Sequence, residues 1–139
     1  MSGQWVCAKG ASLLVPSGPD SKKHLFVIAM DPSKLEGYGN HPMVLMVGAS
    51  SRKEGVAHDG ACELKAGDHP FITHDSFIDY RFARIESASD VERKVQAGTF
   101  IVKQACSPEL LARIVRGALS SRRINREFRQ ILKAGDSPS

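Results

Sequence analysis

Two short apolar runs constrain the fold of this chain more than any other feature. Residues 25–30 (Leu-Phe-Val-Ile-Ala-Met) and 43–47 (Met-Val-Leu-Met-Val) are rich in β-forming side chains and are bounded by turn-forming residues. Both runs are far too short to cross a membrane. Continuous apolar runs of this length are typical of strands buried on both faces, so we expect them in the middle of a sheet.

Shorter β-forming segments surround these two runs. Residues 61–65, 77–86 and 99–102 have the composition or the alternation of strands. Residues 5–15 contain one short apolar run, which fits a first strand or an N-terminal arm, and residues 16–23 have the chemistry of a loop. This order of segments predicts a small, mostly antiparallel β-structure.

In the C-terminal part of the chain, the spacing of apolar residues changes to that of helices. Ser107, Pro108 and Glu109 supply a cap, a proline at the first position and an acidic first turn, so a helix is predicted there. The helix has an apolar stripe, and it is expected to bend or break near Gly117 or residues 120–121, before a second helical stretch.

We therefore predict one α+β domain over residues 1–139, a small, mostly antiparallel barrel closed by C-terminal helices. Its expected parts are an N-terminal arm and loop (1–23), a β-barrel (24–106), basic helices (107–134) and a disordered tail (135–139).

The cysteines and glycines exclude several classes of protein. Cys7, Cys62 and Cys106 are widely spaced and odd in number, which fits neither a disulfide framework nor a paired zinc motif. The glycine-rich phosphate loops of ATPases and dinucleotide enzymes are missing. No cofactor or metal is predicted. Without an apolar leader at the N-terminus, the expected location is the cytoplasm.

Positive charge is concentrated in the C-terminal segment. Residues 107–134 hold seven cationic side chains and two glutamates, a net +5, whereas the whole chain carries +4, so the remainder carries −1. This asymmetry is common in proteins that bind a polyanion or an acidic protein. The alternative is a solvated helix face.

Chemically reactive side chains are concentrated in residues 67–80. A metal site is disfavoured, because the spacing of His58, Asp59, Cys62, His69 and His74 matches no compact ligand motif. A hydrolase that uses a serine or cysteine nucleophile is disfavoured as well, because no nucleophile elbow is present.

Metal-independent RNA cleavage is the third possibility. It needs a base for the ribose 2′-hydroxyl, an acid for the leaving oxygen, and cations or hydrogen-bond donors for the charged transition state. The structural alternatives are that His69 and His74 bond loop carbonyls and that Tyr80 packs in the core. The candidates for catalysis are His41, Ser50, Ser51, His69, His74, Asp79 and Arg81, and those for RNA binding are Arg52, Lys53 and Tyr80.

The order of these motifs resembles that of the PemK/MazF-like toxins of type II toxin–antitoxin systems. The resemblance covers roughly residues 25–132. It implies an SH3-like β-barrel with appended helices that forms a homodimer, cleaves single-stranded RNA without a metal, and is silenced by a cognate antitoxin. The matching features are a strand ending in Asp31-Pro32, a strand leading into Ser50-Ser51, Cys62 followed by residues 67–72, residues 74–80, and a C-terminal helix.

The motifs of this family can be matched to individual residues of the chain, with one difference. Ser50 and Ser51 match a Thr-Ser pair of the family, so the resemblance implies that one of them contacts the scissile phosphate. His41 and Pro42 match an Arg-Pro pair, so a histidine stands where the family has a catalytic arginine. Histidine can act as an acid or a base but is a poorer fixed cation.

Two other classes of function fit the same sequence. One is a non-catalytic SH3-like module that binds nucleic acid or protein, and the other is an accessory protein whose basic helix mediates oligomerisation. Convergence of His41, Ser51 and Arg81 around one small ligand would favour an enzyme, whereas a scattered arrangement would favour the binding module.

Overall fold

The structure is a computed structural model that describes residues 5–17 and 22–136. Six strands and three helices follow one another along this part of the chain. They are β1 (Ser12–Ser17), β2 (Lys22–Ile28), β3 (Met43–Ser51), β4 (Glu63–Leu64), β5 (Ser76–Ser87), α1 (Ala88–Gln96), β6 (Ile101–Lys103), α2 (Pro108–Ser120) and α3 (Arg126–Asp136).

The strands form one antiparallel sheet that curls into a half-barrel. Their order is β4-β5-β3-β2-β1-β6, with β3 and β2 at the centre. The predicted α+β class and the central position of the two apolar runs are therefore confirmed. Residues 12–15 form a strand of the sheet rather than an arm, because Leu13 and Val15 bury their side chains on one face and Leu14 on the other. The loop predicted for residues 16–23 is wrong at both ends, because residues 16 and 17 continue β1 and pair with residues 23 and 22 of β2.

Both faces of the sheet are covered, which explains why its central strands are apolar throughout. Leu45 and Val47 belong to a core layer under α2 and α3, which contribute Ile114 and Leu132. Val44 and Met46 belong to a second layer on the opposite face, under α1. Alternate residues of one strand thus serve two separate cores.

The helix α2 begins where its cap predicts. The Ser107 hydroxyl accepts a hydrogen bond from the Leu110 N–H at 3.1 Å, and Pro108 opens α2. The chain leaves α2 at Ser121, whose hydroxyl donates to the buried Asp59 carboxylate at 2.5 Å. The interruption predicted near residues 120–121 is confirmed. Of the tail predicted for 135–139, residues 135 and 136 belong to α3, and residues 137–139 lie outside the described residues.

The helix α2 approaches the sheet closely at Gly117. The Tyr80 hydroxyl donates to the Ile114 carbonyl at 2.6 Å, directly beneath this turn of the helix. A Cβ at Gly117 would overlap the Tyr80 hydroxyl and would lie 2.9 Å from the Cys62 Cβ. The absence of a side chain at Gly117 therefore sets the distance between α2 and β5.

The described part of the chain holds no helix that is long and apolar enough to cross a membrane.

The three cysteines are free thiols, and burial raises the pKa of each. The effect is largest at Cys7, where burial, with Glu92 and Asp31 nearby, raises the pKa from 9.0 to about 12. An unfolded chain would release this proton near pH 9. The stability that Cys7 contributes is therefore present below pH 9 and is lost as the pH rises towards 12.

We accordingly expect the free energy of unfolding to fall between pH 9 and 12, and to fall less steeply in a Cys7→Ala variant. Urea unfolding at pH 8, 10 and 11 measures both slopes, with Val6→Ala, an exposed neighbour, as the control. Parallel slopes for the wild type and Cys7→Ala would contradict this assignment.

Candidate functional site

Three strand ends meet at one edge of the sheet. Ser51, the last residue of β3, is opposite Ser76, the first residue of β5. Phe26 of β2 is opposite Gly48 of β3, and because these strands are antiparallel, the start of β2 lies beside the end of β3. The loop that carries His74 enters β5 at this edge.

A cleft opens there because β2 and β3 separate. Within the described residues, their pairing ends at Phe26 and Gly48, and beyond that point β2 pairs with β1 and β3 with β5. The cleft has a volume of about 480 Å³. It is lined by Ser17, Lys22, Lys23, His24, Leu25, Ala49, Ser50, Ser51, Lys53, Phe71, Ile72, His74 and Ser76.

A serine and a histidine are in direct contact inside this cleft. Ser51 Oγ lies 2.7 Å from His74 Nε2, and both residues are exposed. The other ring nitrogen, Nδ1, lies 3.4 Å from the Thr73 hydroxyl, and the His74 carbonyl accepts from the Ser76 hydroxyl at 3.0 Å. The imidazole is therefore held from both sides, in an arrangement suited to proton transfer or to hydrogen bonding with an anion.

The cleft has the electrostatics of an anion-binding site. Lysines line it, and among the described residues none of the lining side chains is acidic. Lys23 and Lys53 are exposed, and neither forms an ion pair with a carboxylate of the described chain. Lysine ammonium groups and a serine hydroxyl can donate hydrogen bonds to phosphate oxygens.

Asp79 and Arg81 bind each other rather than face the cleft. The Arg81 guanidinium donates two hydrogen bonds to the Asp79 carboxylate, at 2.9 and 2.7 Å. Asp79 is buried, whereas the Arg81 side chain is 52% exposed. Arg81 follows Ser76 on β5 by five residues, roughly 15 Å of strand. We therefore assign this pair to the stability of β5 and leave it out of the site.

His69 and Tyr80 have structural roles. His69 is 2% exposed, its Nε2 lies 2.6 Å from the Gln104 carbonyl, and its Nδ1 accepts from the Phe71 N–H at 3.0 Å. Tyr80 is fully buried with its hydroxyl bonded to α2, and burial raises its pKa far above the usual range. Neither side chain can reach RNA in the cleft, which agrees with the structural alternatives stated for both residues.

His41 and Arg52 also lie apart from the cleft. His41 is exposed just before β3, whereas Ser51 ends that strand, so roughly 25 Å of strand separates them. The Arg52 guanidinium faces β4, 3.5 Å from the Glu63 carboxylate.

Of the sequence candidates, the structure thus brings together Ser50, Ser51, Lys53 and His74, and it scatters the rest. His41, Ser51 and Arg81 do not converge. By the criterion given above, this arrangement favours a binding module over an enzyme built on those three residues.

The cleft also contains residues that the sequence argument missed. Lys22 and Lys23 belong to the predicted loop 16–23 and His24 to the start of the predicted barrel, and no role at the site is predicted for any of them. Two lysines followed by a histidine could have indicated an anion-binding segment. Only the antiparallel pairing of β2 with β3, however, shows that these residues lie beside Ser51.

Residues 5–17 and 22–136 contain no group of three His, Cys, Asp or Glu side chains that is placed to hold a metal ion.

Comparison with known proteins does not assign the chain to a family. No protein-family model matches the sequence, and no curated protein matches it significantly.

Proposed function

We propose that this chain binds single-stranded RNA and that the cleft at the β2–β3–β5 edge holds the RNA phosphates. The observation that carries the proposal is the composition of the cleft: Lys23, Lys53 and the Ser51–His74 pair meet where three strands end, without an acidic lining residue in the described chain. The phosphate backbone supplies most of the affinity of sequence-independent nucleic-acid binding.

A single strand fits this cleft better than a duplex does. The cleft is a recess of about 480 Å³ between two separating strands, and Phe71 stands at its wall with 43% of its surface exposed. Proteins that bind single strands combine a cationic groove with aromatic side chains on which bases stack.

RNA cleavage is the second candidate function, and the contact between Ser51 and His74 favours it. In such a reaction the 2′-oxygen forms a bond to phosphorus while the bond from phosphorus to the 5′-oxygen breaks. His74 would accept the 2′-hydroxyl proton, Ser51 would donate a hydrogen bond to a phosphate oxygen, and His24, the other imidazole of the cleft, would protonate the 5′-oxygen.

The wider proposal is a toxin-like ribonuclease related to the PemK/MazF-like proteins. It comprises an SH3-like barrel, a homodimer in the cytoplasm, and a cognate antitoxin that blocks the RNA groove. The curled antiparallel half-barrel and the position of Ser50 and Ser51 at the end of β3 support it. The separation of His41 from Ser51 counts against a catalytic role for His41.

RNA binding in the cleft should depend on salt concentration through Lys23 and Lys53. Replacing Lys23 and Lys53 together by alanine is expected to weaken binding of all single-stranded RNA sequences alike, because two phosphate contacts are lost. The slope of log K against log salt concentration should become shallower by about 1.4, since each contact contributes about 0.7 on a single strand. Fluorescence anisotropy titrations between 50 and 200 mM salt, a range of about fourfold, measure it.

The matched control is the double variant Lys9→Ala, Lys34→Ala. It removes the same charge from two exposed lysines that do not line the cleft. An equal change of slope in both double variants would mean that net charge, and not the cleft, controls binding.

A further inference from the structure

A second cavity continues from the cleft on the same edge of the sheet. Its volume is about 290 Å³, and four of its lining residues, Ser17, His24, Ala49 and Ser50, also line the cleft. The two cavities therefore form one groove, in which the cationic part and this second part meet at the end of β3.

The walls of the second cavity differ in chemistry from the cleft. Its other lining residues are Phe26, Gly48, Phe82 and Arg84. Phe82 is 59% exposed and Phe26 only 3%, so one aromatic ring stands at the mouth and the other forms the wall. The Arg84 guanidinium lies 5.7 Å from the centre of the Phe26 ring and is ion-paired with Glu86.

Gly48 is required for this shape. A Cβ at Gly48 would lie 2.8 Å from the Phe26 ring, well inside van der Waals contact. Glycine lets the ring lie across β3 at the point where β2 and β3 begin to separate. The cavity is thus a consequence of the same strand separation that opens the cleft.

We propose that this cavity binds one nucleobase of the RNA strand whose phosphates occupy the cleft. A nucleobase is a flat group that stacks on aromatic rings and on guanidinium planes, and Phe82 and Arg84 present such surfaces. The volume lies at the lower end of the range for ligand pockets, which suits a single base rather than several. This inference rests on the proposed function, because the cleft determines that the base belongs to a nucleic acid.

The test uses two labelled 2′-O-methyl RNA oligonucleotides of equal length, which cannot be cleaved through a 2′-hydroxyl. One carries bases at every position and the other has an abasic sugar at every position. Anisotropy titrations compare the wild-type chain with Phe82→Ala, Phe82→Trp and, as the control, Val102→Ala, an exposed apolar residue of β6. Thermal unfolding shows that each variant is folded.

We expect Phe82→Ala to weaken binding of the base-bearing strand by about 5- to 100-fold, the range typical of a lost aromatic stacking partner. Binding of the abasic strand should not change, and Phe82→Trp and Val102→Ala should bind both strands as the wild type does.

Two outcomes overturn the base pocket alone. One is equal affinity of the wild type and Phe82→Ala for the base-bearing strand, as expected if the cavity instead receives a protein side chain. The other is equal weakening on both strands, which would mean that Phe82 acts through the backbone or the fold. If the wild type binds neither strand, the proposed function fails, and the base pocket with it.

Discussion

Replacing His74 by alanine is expected to lower the rate of the proposed RNA cleavage by about 10²- to 10⁴-fold, the usual contribution of a positioned general acid or base. Imidazole is the side chain best suited to exchange a proton near neutral pH. The His74 ring is the one in contact with Ser51, at 2.7 Å, and its other nitrogen is near Thr73. Cleavage of a fluorogenic single-stranded RNA under single-turnover conditions measures the rate.

Binding and cleavage should separate in this variant. Because Lys23 and Lys53 are retained, His74→Ala should weaken binding of a non-cleavable 2′-O-methyl strand far less than it lowers the rate of cleavage. The matched control is His41→Ala, which removes an exposed imidazole about 25 Å away along β3 and should leave the rate unchanged.

Mapping of RNA 5′ ends in bacterial cells extends the same test. Expression of the wild type should create new ends at a recurring short sequence, and the Ser51→Ala, His74→Ala double variant should not. Equal cleavage by the wild type and His74→Ala would remove His74 from the reaction. If the purified wild type binds RNA but does not cleave it, the non-catalytic binding module is the correct function.

Local sequence patterns were sufficient to predict most of the elements. The Ser107-Pro108 start of α2 and the buried strands β2 and β3 depend on hydrogen bonds and burial within a few neighbouring residues. The role of residues 12–17 was harder to predict. Whether this segment is a strand or an arm depends on its pairing with β2 and with β6, which is some 90 residues away along the chain.

The site was predictable only in part, for the same reason. Ser51 and His74 lie in candidate stretches, but their contact arises from the pairing of β3 with β5. His69 has a side chain that is often catalytic, yet each of its ring nitrogens forms a hydrogen bond with the backbone. Sequence spacing does not distinguish a histidine that holds a loop from one that faces a cleft, because the difference lies in long-range partners such as Gln104.

A substitution at Gly117, where α2 lies close to the sheet, is expected to have a large effect on stability. Replacing Gly117 by valine should lower the free energy of unfolding by about 2–4 kcal/mol, because an overpacked core side chain costs about 1–3 kcal/mol or more. The small gain in helix propensity over glycine, a few tenths of a kcal/mol, does not offset this cost. Urea unfolding followed by circular dichroism measures the change.

Gly135 in α3 provides the control for propensity. A Cβ at Gly135 meets no atom within 4 Å in the described chain, so Gly135→Val should change stability by less than about 0.5 kcal/mol. A similar loss in both variants would mean that valine is unfavourable in these helices for reasons other than packing.

A double-mutant cycle identifies the atom responsible for the Gly117 effect. The nearest obstacle to a Cβ at Gly117 is the Tyr80 hydroxyl, so Gly117→Ala should cost less in a Tyr80→Phe background than in the wild type. The Cys62 Cβ and the Ala61 carbonyl, at 2.9 and 3.0 Å, remain in either background, so the cost should shrink but not vanish. Strictly additive effects would mean that α2 moves away as a unit, and that Tyr80 does not set its distance from the sheet.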